Sequence, residues 1–194
     1  MYTKAKKGFT LIELLVVIAI VAVLSVVVIL TLNPAELLKQ ARDSSRVSDA
    51  ATLKSAVSLY LADYSSPNLA VGGYANCYPS VTGLAANCAA RFSSSYTTYA
   101  SATSSRQVDG TGWLPINFSL ISSGSPVGNL PIDPVNNTTY FYAYAASSTS
   151  LTFEVSMNME STRYAQNGGG DVETTDGGNS SSTYEVGTAP GLAL

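Results

Sequence analysis

Residues 4–32 read KAKKGFTLIELLVVIAIVAVLSVVVILTL: a short basic leader, one glycine, then an apolar run interrupted early by an acid, Glu13. A helix needs about 20 apolar residues to cross roughly 30 Å of hydrocarbon. Residues 9–32 supply that length. Glu13 lies inside the run, where a charge costs about 2.5–3.5 kcal/mol on insertion scales. A carboxylate kept at such a place needs a partner.

The chain has 194 residues and a formal net charge of −3. That length accommodates one modest domain behind an anchor. Lys4, Lys6 and Lys7 precede the apolar run, and no acid does. The positive-inside rule then keeps the N-terminus in the cytoplasm and puts everything after Leu32 outside. Loss of the first eight residues would leave 7 basic and 13 acidic side chains, a net charge of −6. Such a surface indicates no specific nucleic acid as a partner. A secretory signal shares the basic start, but its apolar stretch is usually about 7–15 residues and a small-residue cleavage site follows it. An uncut signal anchor accounts for the lysines and the apolar run, but not for Glu13 or for Gly8 at the junction. The chain has no histidine, which removes the commonest general base and the imidazole metal ligand. It also lacks a nucleophile elbow and a phosphate-binding glycine loop. No catalytic residue stands out, and the chain reads as a non-enzyme.

Lys6-Lys7-Gly8-Phe9-Thr10-Leu11-Ile12-Glu13-Leu14 resembles the N-terminal signature of type IV pilins and of the pseudopilins of type II secretion systems. The resemblance implies that prepilin peptidase, a membrane-embedded aspartyl protease, cuts after Gly8 and methylates the new amine of Phe9. It implies an assembly role for Glu13, as partner for the amine of a neighbouring subunit; each charge is costly alone and less so paired. The alternative is a glutamate near the membrane edge that snorkels to water. The implied partners are identical or homologous pilin subunits, the inner-membrane assembly platform with its ATPase, and membrane lipid before assembly. The implied location is a single pass through the bacterial cytoplasmic membrane, then an extracellular or periplasmic filament. The function that follows is a structural subunit of a type IV pilus-like filament. A pseudopilin of a secretion or DNA-uptake system is one alternative, to which the run Pro131-Ile132-Asp133-Pro134 before aromatic strands adds a specific likeness. A membrane-tethered binding module is the other, with Arg91 and Arg106 beside Tyr96 and Tyr99 as its candidate surface.

Past the span, Asn33-Pro34-Ala35-Glu36 marks a break. Pro34 kinks or restarts a helix. Asn33 suits an N-cap with a reciprocal acid three positions on, and proline suits the first helical position. A second helix is expected over residues 34–63. Ala50, Leu53, Val57, Tyr60, Leu61 and Tyr64 recur at three- and four-residue steps and mark its buried face. Lys39, Arg42, Asp43, Arg46, Asp49 and Lys54 fill much of the rest, either as a solvated face or as contacts between subunits. Residues 65–112 read as a long, partly ordered loop. Residues 140–145, 151–157 and 184–186 read as strands, with a hairpin turn over 147–150. The prolines of Trp113-Leu114-Pro115 and of the 130–134 run exclude central strands. The expected fold class is α+β: a long N-terminal helix, its apolar half transmembrane and its amphipathic half packed on a small antiparallel sheet. The expected division is a cleaved leader (1–8), a membrane and filament-core helix (9–32), an amphipathic helix (33–64) and a head (65–194).

Cys77 and Cys88 are the only cysteines. Outside the cytoplasm two thiols in a loop-rich segment are candidates for a disulfide, which would stabilise by up to roughly 3 kcal/mol; unpaired buried thiols are the alternative. Zinc is disfavoured, because two thiolates without histidine fall short of four ligands. Asp171, Glu173 and Asp176 lie among glycines in residues 167–182. Hard oxygen ligands on a flexible loop suit a structural Ca²⁺. The spacing is not that of an EF-hand, and a merely solvated acidic loop is the competing reading. The resemblance adds weight to calcium, since major pseudopilins carry a calcium-stabilised C-terminal loop. No other cofactor is expected.

Overall fold

Thr10 opens the first helix, α1 (Leu11–Leu32), and Asn33 closes it in the left-handed region (φ 40°, ψ 72°). Asparagine tolerates that conformation better than most residues. The computed structural model describes residues 8–70, 72–84, 86–99, 102–147 and 149–194. The leader lysines Lys4, Lys6 and Lys7, and Ser148 of the expected hairpin turn, lie outside the described residues. Pro34 begins α2 (Pro34–Asp63) at the position where a missing N–H costs least. The amides of Glu36 and Leu37 donate to the Asn33 carbonyl at 3.0 and 3.3 Å, so Asn33 both ends α1 and caps the next turn.

The chain separates into two units, Met1–Leu38 and Lys39–Leu194. The second holds most of α2 and a five-stranded sheet. Its strands are β1 (Asn76–Pro79), β2 (Thr97–Thr98), β3 (Tyr142–Ser147), β4 (Thr152–Met157) and β5 (Tyr184–Gly187). The spatial order is β2-β1-β3-β4-β5. Only β1 and β2 run parallel, and the other neighbours are antiparallel. The α+β class therefore holds.

Strand alternation divides the interior into two layers. Tyr142, Tyr144 and Ala146 of β3, with Tyr78, Phe153, Val155, Met157 and Val186, join Ala50, Leu53, Ala56, Val57 and Tyr60 of α2. Ala143 and Ala145 face the other way and meet Cys77, Cys88, Phe92, Tyr96 and Phe141. Both faces of β3 are thus covered, one by a helix and one by the segment between β1 and β3. Residues 65–112, expected to be loop, contain β1 and β2. Asn76-Cys77-Tyr78-Pro79 is too short and too polar at its ends to show a period, and it becomes a strand because β3 offers it a partner edge.

The charged face of α2 is the main departure from expectation. Asp43 and Arg46 are fully buried. Arg46 holds Asp133 bidentately, Nε to Oδ2 at 2.6 Å and Nη2 to Oδ1 at 2.8 Å, and donates from Nη1 to Asp43 at 2.6 Å. Asp43 in turn accepts the amides of Glu160 and Ser161. Arg42 forks onto Glu160, with Nε to Oε2 at 2.7 Å. Tyr142 donates its hydroxyl to Asp49 at 2.7 Å. Arg42, Asp43 and Arg46 therefore fasten α2 to the loops flanking β3 and β4, and Asp49 fastens it to β3 itself. For these four, neither a solvated face nor a contact between subunits describes what they touch. The proline-rich 130–134 run is no strand, as its prolines require, and it delivers Asp133.

Removing one partner of a buried ion pair leaves an uncompensated charge, at a cost of about 3–5 kcal/mol. Asp133→Ala should lower unfolding stability by about that amount, whereas Lys54→Ala on the exposed face should change it by about 0.5 kcal/mol or less. Denaturant titration of the full chain in detergent measures both.

Candidate processing and assembly site

Gly8 is exposed, and a Cβ built on it would meet nothing within 4 Å among the described residues. The fold itself therefore makes no demand for glycine here. Phe9 is 86% exposed. Thr10 has extended backbone (φ −81°, ψ 153°) and forms a reciprocal cap with Glu13. The Glu13 amide donates to Thr10 Oγ1 at 3.3 Å, while the Thr10 amide and hydroxyl both donate to Glu13 Oε2 at 2.8 Å. Two orphan donors of the first turn are satisfied this way. The Glu13 carboxylate thereby sits against Thr10, one residue from the Phe9 nitrogen. Thr10 is a residue the sequence reading missed, although Thr-x-x-Glu before an apolar run is the signature of such a cap.

Beyond the cap, the apolar side chains of α1 are exposed on every side, from Ile12 at 70% to Ile18 at 60% and Ile29 at 62%. Leu11–Ile29 is long and apolar enough to cross a membrane. Its polar interruptions are satisfied within the helix. Ser25 donates to the Val21 carbonyl at 2.8 Å and Thr31 to that of Val27 at 2.9 Å.

In the second unit, Cys77 and Cys88 are joined by a disulfide, with Cα atoms 6.1 Å apart. The bond ties the turn Ala86–Ala90 to β1. The acidic loop is organised differently from a metal site. Asp171 accepts the amides of Asn167 and Thr174 and the Thr174 hydroxyl. Glu173 accepts the amides of Met159 and Gln166. Asp176 accepts those of Gly178 and Glu185. Each carboxylate folds its own stretch of backbone, and no three metal-binding side chains converge among the described residues. Among the described residues, the structure does not bring Asp171, Glu173 and Asp176 together as a ligand set. The arginine and tyrosine candidates for a binding surface are also dispersed. Arg106 donates to the Leu130 carbonyl, Tyr96 is buried, and Tyr99 packs on Tyr78 with ring centroids 5.0 Å apart.

Residues 3–29 match the family model described as the prokaryotic N-terminal methylation motif. That motif is the class III signal peptide of type IV pilins and pseudopilins. The N-terminal segment is similar to that of type IV pilin and pseudopilin precursors. No curated protein and no solved structure matches the chain. The motif covers Gly8, Phe9, the Thr10–Glu13 cap and most of α1. It implies processing by prepilin peptidase and assembly with other pilin subunits. One apolar N-terminal helix is compatible with the single-pass anchor of a pilin. The motif is structural rather than catalytic.

Away from this prepilin-type leader, the sheet holds a pair of acids that the sequence did not single out. Glu154 of β4 and Glu185 of β5 are buried and lie on one face, where Ser156 is the register partner of Glu185. Leu194 donates its amide to Glu154 Oε2 and Ser180 its amide to Glu185 Oε2, each at 3.1 Å. Neither Oε1 has a hydrogen-bond partner among the described residues. Burial, reinforced by the neighbouring Glu185 against the pull of the Leu194 amide, pushes the Glu154 carboxyl from 4.5 up to about 8. Burial also raises Glu185. Between pH 4.5 and about 8 the folded chain keeps the Glu154 proton and the unfolded chain loses it. Stability should therefore fall as pH rises through that window and level off above it. Glu154→Gln should remove most of that slope and raise the melting temperature at pH 8 by roughly 3–8 °C. Melting curves at pH 5 and pH 8 check this, and parallel behaviour of variant and parent would contradict it.

Proposed function

We propose that the protein is the structural subunit of a type IV pilus-like filament, cut after Gly8, methylated on Phe9 and assembled from the cytoplasmic membrane. The observation that carries this reading is the exposure of α1. A helix apolar all round must be buried in lipid or in protein. Lipid serves before assembly, and like helices packed side by side serve after it. Glu13 suits the second environment: its Oε2 is engaged by Thr10, and its carboxylate can meet the methylated amine of Phe9 on a neighbouring subunit. The bare surroundings of Gly8 support a requirement set by the peptidase rather than by the fold. The head would lie outside the cytoplasm, where the Cys77–Cys88 bond persists. An inner-membrane platform and its ATPase would drive extraction from the bilayer.

A second reading, a pseudopilin of a secretion or DNA-uptake system, draws support from the Pro131-Ile132-Asp133-Pro134 run, whose aspartate is locked to α2 by Arg46. It uses the same processing and the same helix packing.

Mass spectrometry of the mature chain should find Phe9 as the N-methylated first residue. Glu13→Ala and Glu13→Leu should still insert and be cut, but yield far less filament in sheared surface material viewed by electron microscopy. An unchanged filament yield would refute the pairing role, and a mature chain retaining residues 1–8 would refute the proposal itself.

A further inference from the structure

Arg91 follows the Ala86–Ala90 turn, in which residues 87–90 take left-handed backbone with φ between 50° and 64°. Its amide donates to the Asn87 carbonyl at 3.1 Å. The guanidinium lies over the Phe141 ring, 3.5 Å from the centroid. Nη1 donates to the carbonyls of Phe141 and Ser156 and Nη2 to that of Thr139. A guanidinium has five N–H donors, so about two remain. No carboxylate pairs with Arg91 among the described residues, in contrast to Arg42 and Arg46. Asp133 acts on it only through space, and burial pulls its pKa down to about 9, which still leaves a cation at neutral pH.

Arg91 borders a cleft of about 180 Å³ together with Thr138, Thr139, Asn158, Ser182 and Thr183. Thr183 is 94% buried, and its Oγ1 has no hydrogen-bond partner among the described residues. An orphaned buried hydroxyl is costly and marks a place where a partner belongs. A cation with spare N–H groups, an unused hydroxyl and a rim of further hydroxyls are complementary to an oxyanion. The volume is well below the roughly 300–1,000 Å³ of pockets for drug-sized ligands, so the guest is small. Behind the rim, Glu185 accepts the Ser180 amide, and burial raises its pKa.

We propose that this cleft binds a small oxyanion, a phosphate or a carboxylate group, held by Arg91 and Thr183. Such a ligand would tie the disulfide-linked turn to the segments entering β3 and β5. The site lies wholly in the second unit and does not depend on the filament reading.

The test is a titration of the full chain in detergent with inorganic phosphate and, separately, acetate, each against chloride at matched ionic strength. Melting temperature and isothermal titration calorimetry are the readouts. A saturable rise with phosphate, acetate or both supports the site and tells tetrahedral from planar ligands. Thr183→Val, which keeps the shape, should weaken binding about fivefold, the loss of one neutral hydrogen bond. Arg91→Lys should weaken it about tenfold or more by removing the fork. The proposal is overturned if neither anion gives a saturable effect beyond chloride, or if Thr183→Val binds as the parent does. It is equally overturned if Arg91→Lys folds and binds unchanged.

Discussion

The buried pairing of Arg46 with Asp133 is the constraint on which the second unit rests. The face of α2 that meets the sheet carries small side chains as well as large ones: Ala50 and Ala56 beside Leu53, Val57 and Tyr60. Hydrophobic burial brings such a face to the sheet but is non-directional and sets no axial position. The forked hydrogen bonds from Arg46 do, because both guanidinium nitrogens must meet both carboxylate oxygens at once. Asp43 extends the constraint to the amides of residues 160 and 161, just after β4. The loop entering β3 and the loop leaving β4 are therefore positioned from one helical turn. Buried pairs rarely add much net stability over apolar packing of similar shape. Their contribution here is to fix which of several similar packings is adopted.

That constraint explains why β3 can be sealed on both faces. Tyr142 and Tyr144 occupy the helix side, and the alanines at 143 and 145 leave room for the disulfide-linked segment on the other. Larger residues at the alanine positions would lift Cys88, Phe92 and Phe141 away from the sheet. A strand read in isolation as aromatic-rich is in fact an alternation of large and small, matched to a thick layer on one side and a thin one on the other.

The extent to which this was legible follows the physics of each element. The apolar run, Pro34, the Leu53 and Val57 face and strands β3 to β5 carry periodic signals that survive without context. β1 and β2 do not, because four and two residues leave no period and their pairing comes from β3 and from each other. The charges of α2 were read as outward-facing because a lone Arg or Asp usually is. What turned Arg46 inward is a partner 87 residues away, and Asp43 meets amides 117 and 118 residues away, all invisible to any local window. Asp171, Glu173 and Asp176 have the composition of a metal loop, yet each accepts backbone amides, from Thr174, Met159 and Gly178. At the leader the reverse holds. Among the described residues the side-chain partners of Glu13 lie within three residues, so the Thr10 cap was readable in the sequence and was overlooked.

The distribution of neutralised charge bears on where association occurs. In the second unit Arg42, Asp43 and Arg46 of α2 find their counterions within the chain, so those contacts ask nothing of another molecule. On α1 the acid is met, among the described residues, by the neutral groups of Thr10, which offer hydrogen bonds but no opposite charge. In water that would suffice. In hydrocarbon an ionised carboxylate held by one threonine is still far from neutral, and a cation at the same depth lowers its energy more than further hydrogen bonds can. The chain's own apolar surface is likewise left uncovered along this helix and mostly covered in the sheet unit. An acid held only by neutral hydrogen-bond donors among the described residues and an apolar surface left exposed coincide on α1, and both are costly to leave without a partner in hydrocarbon.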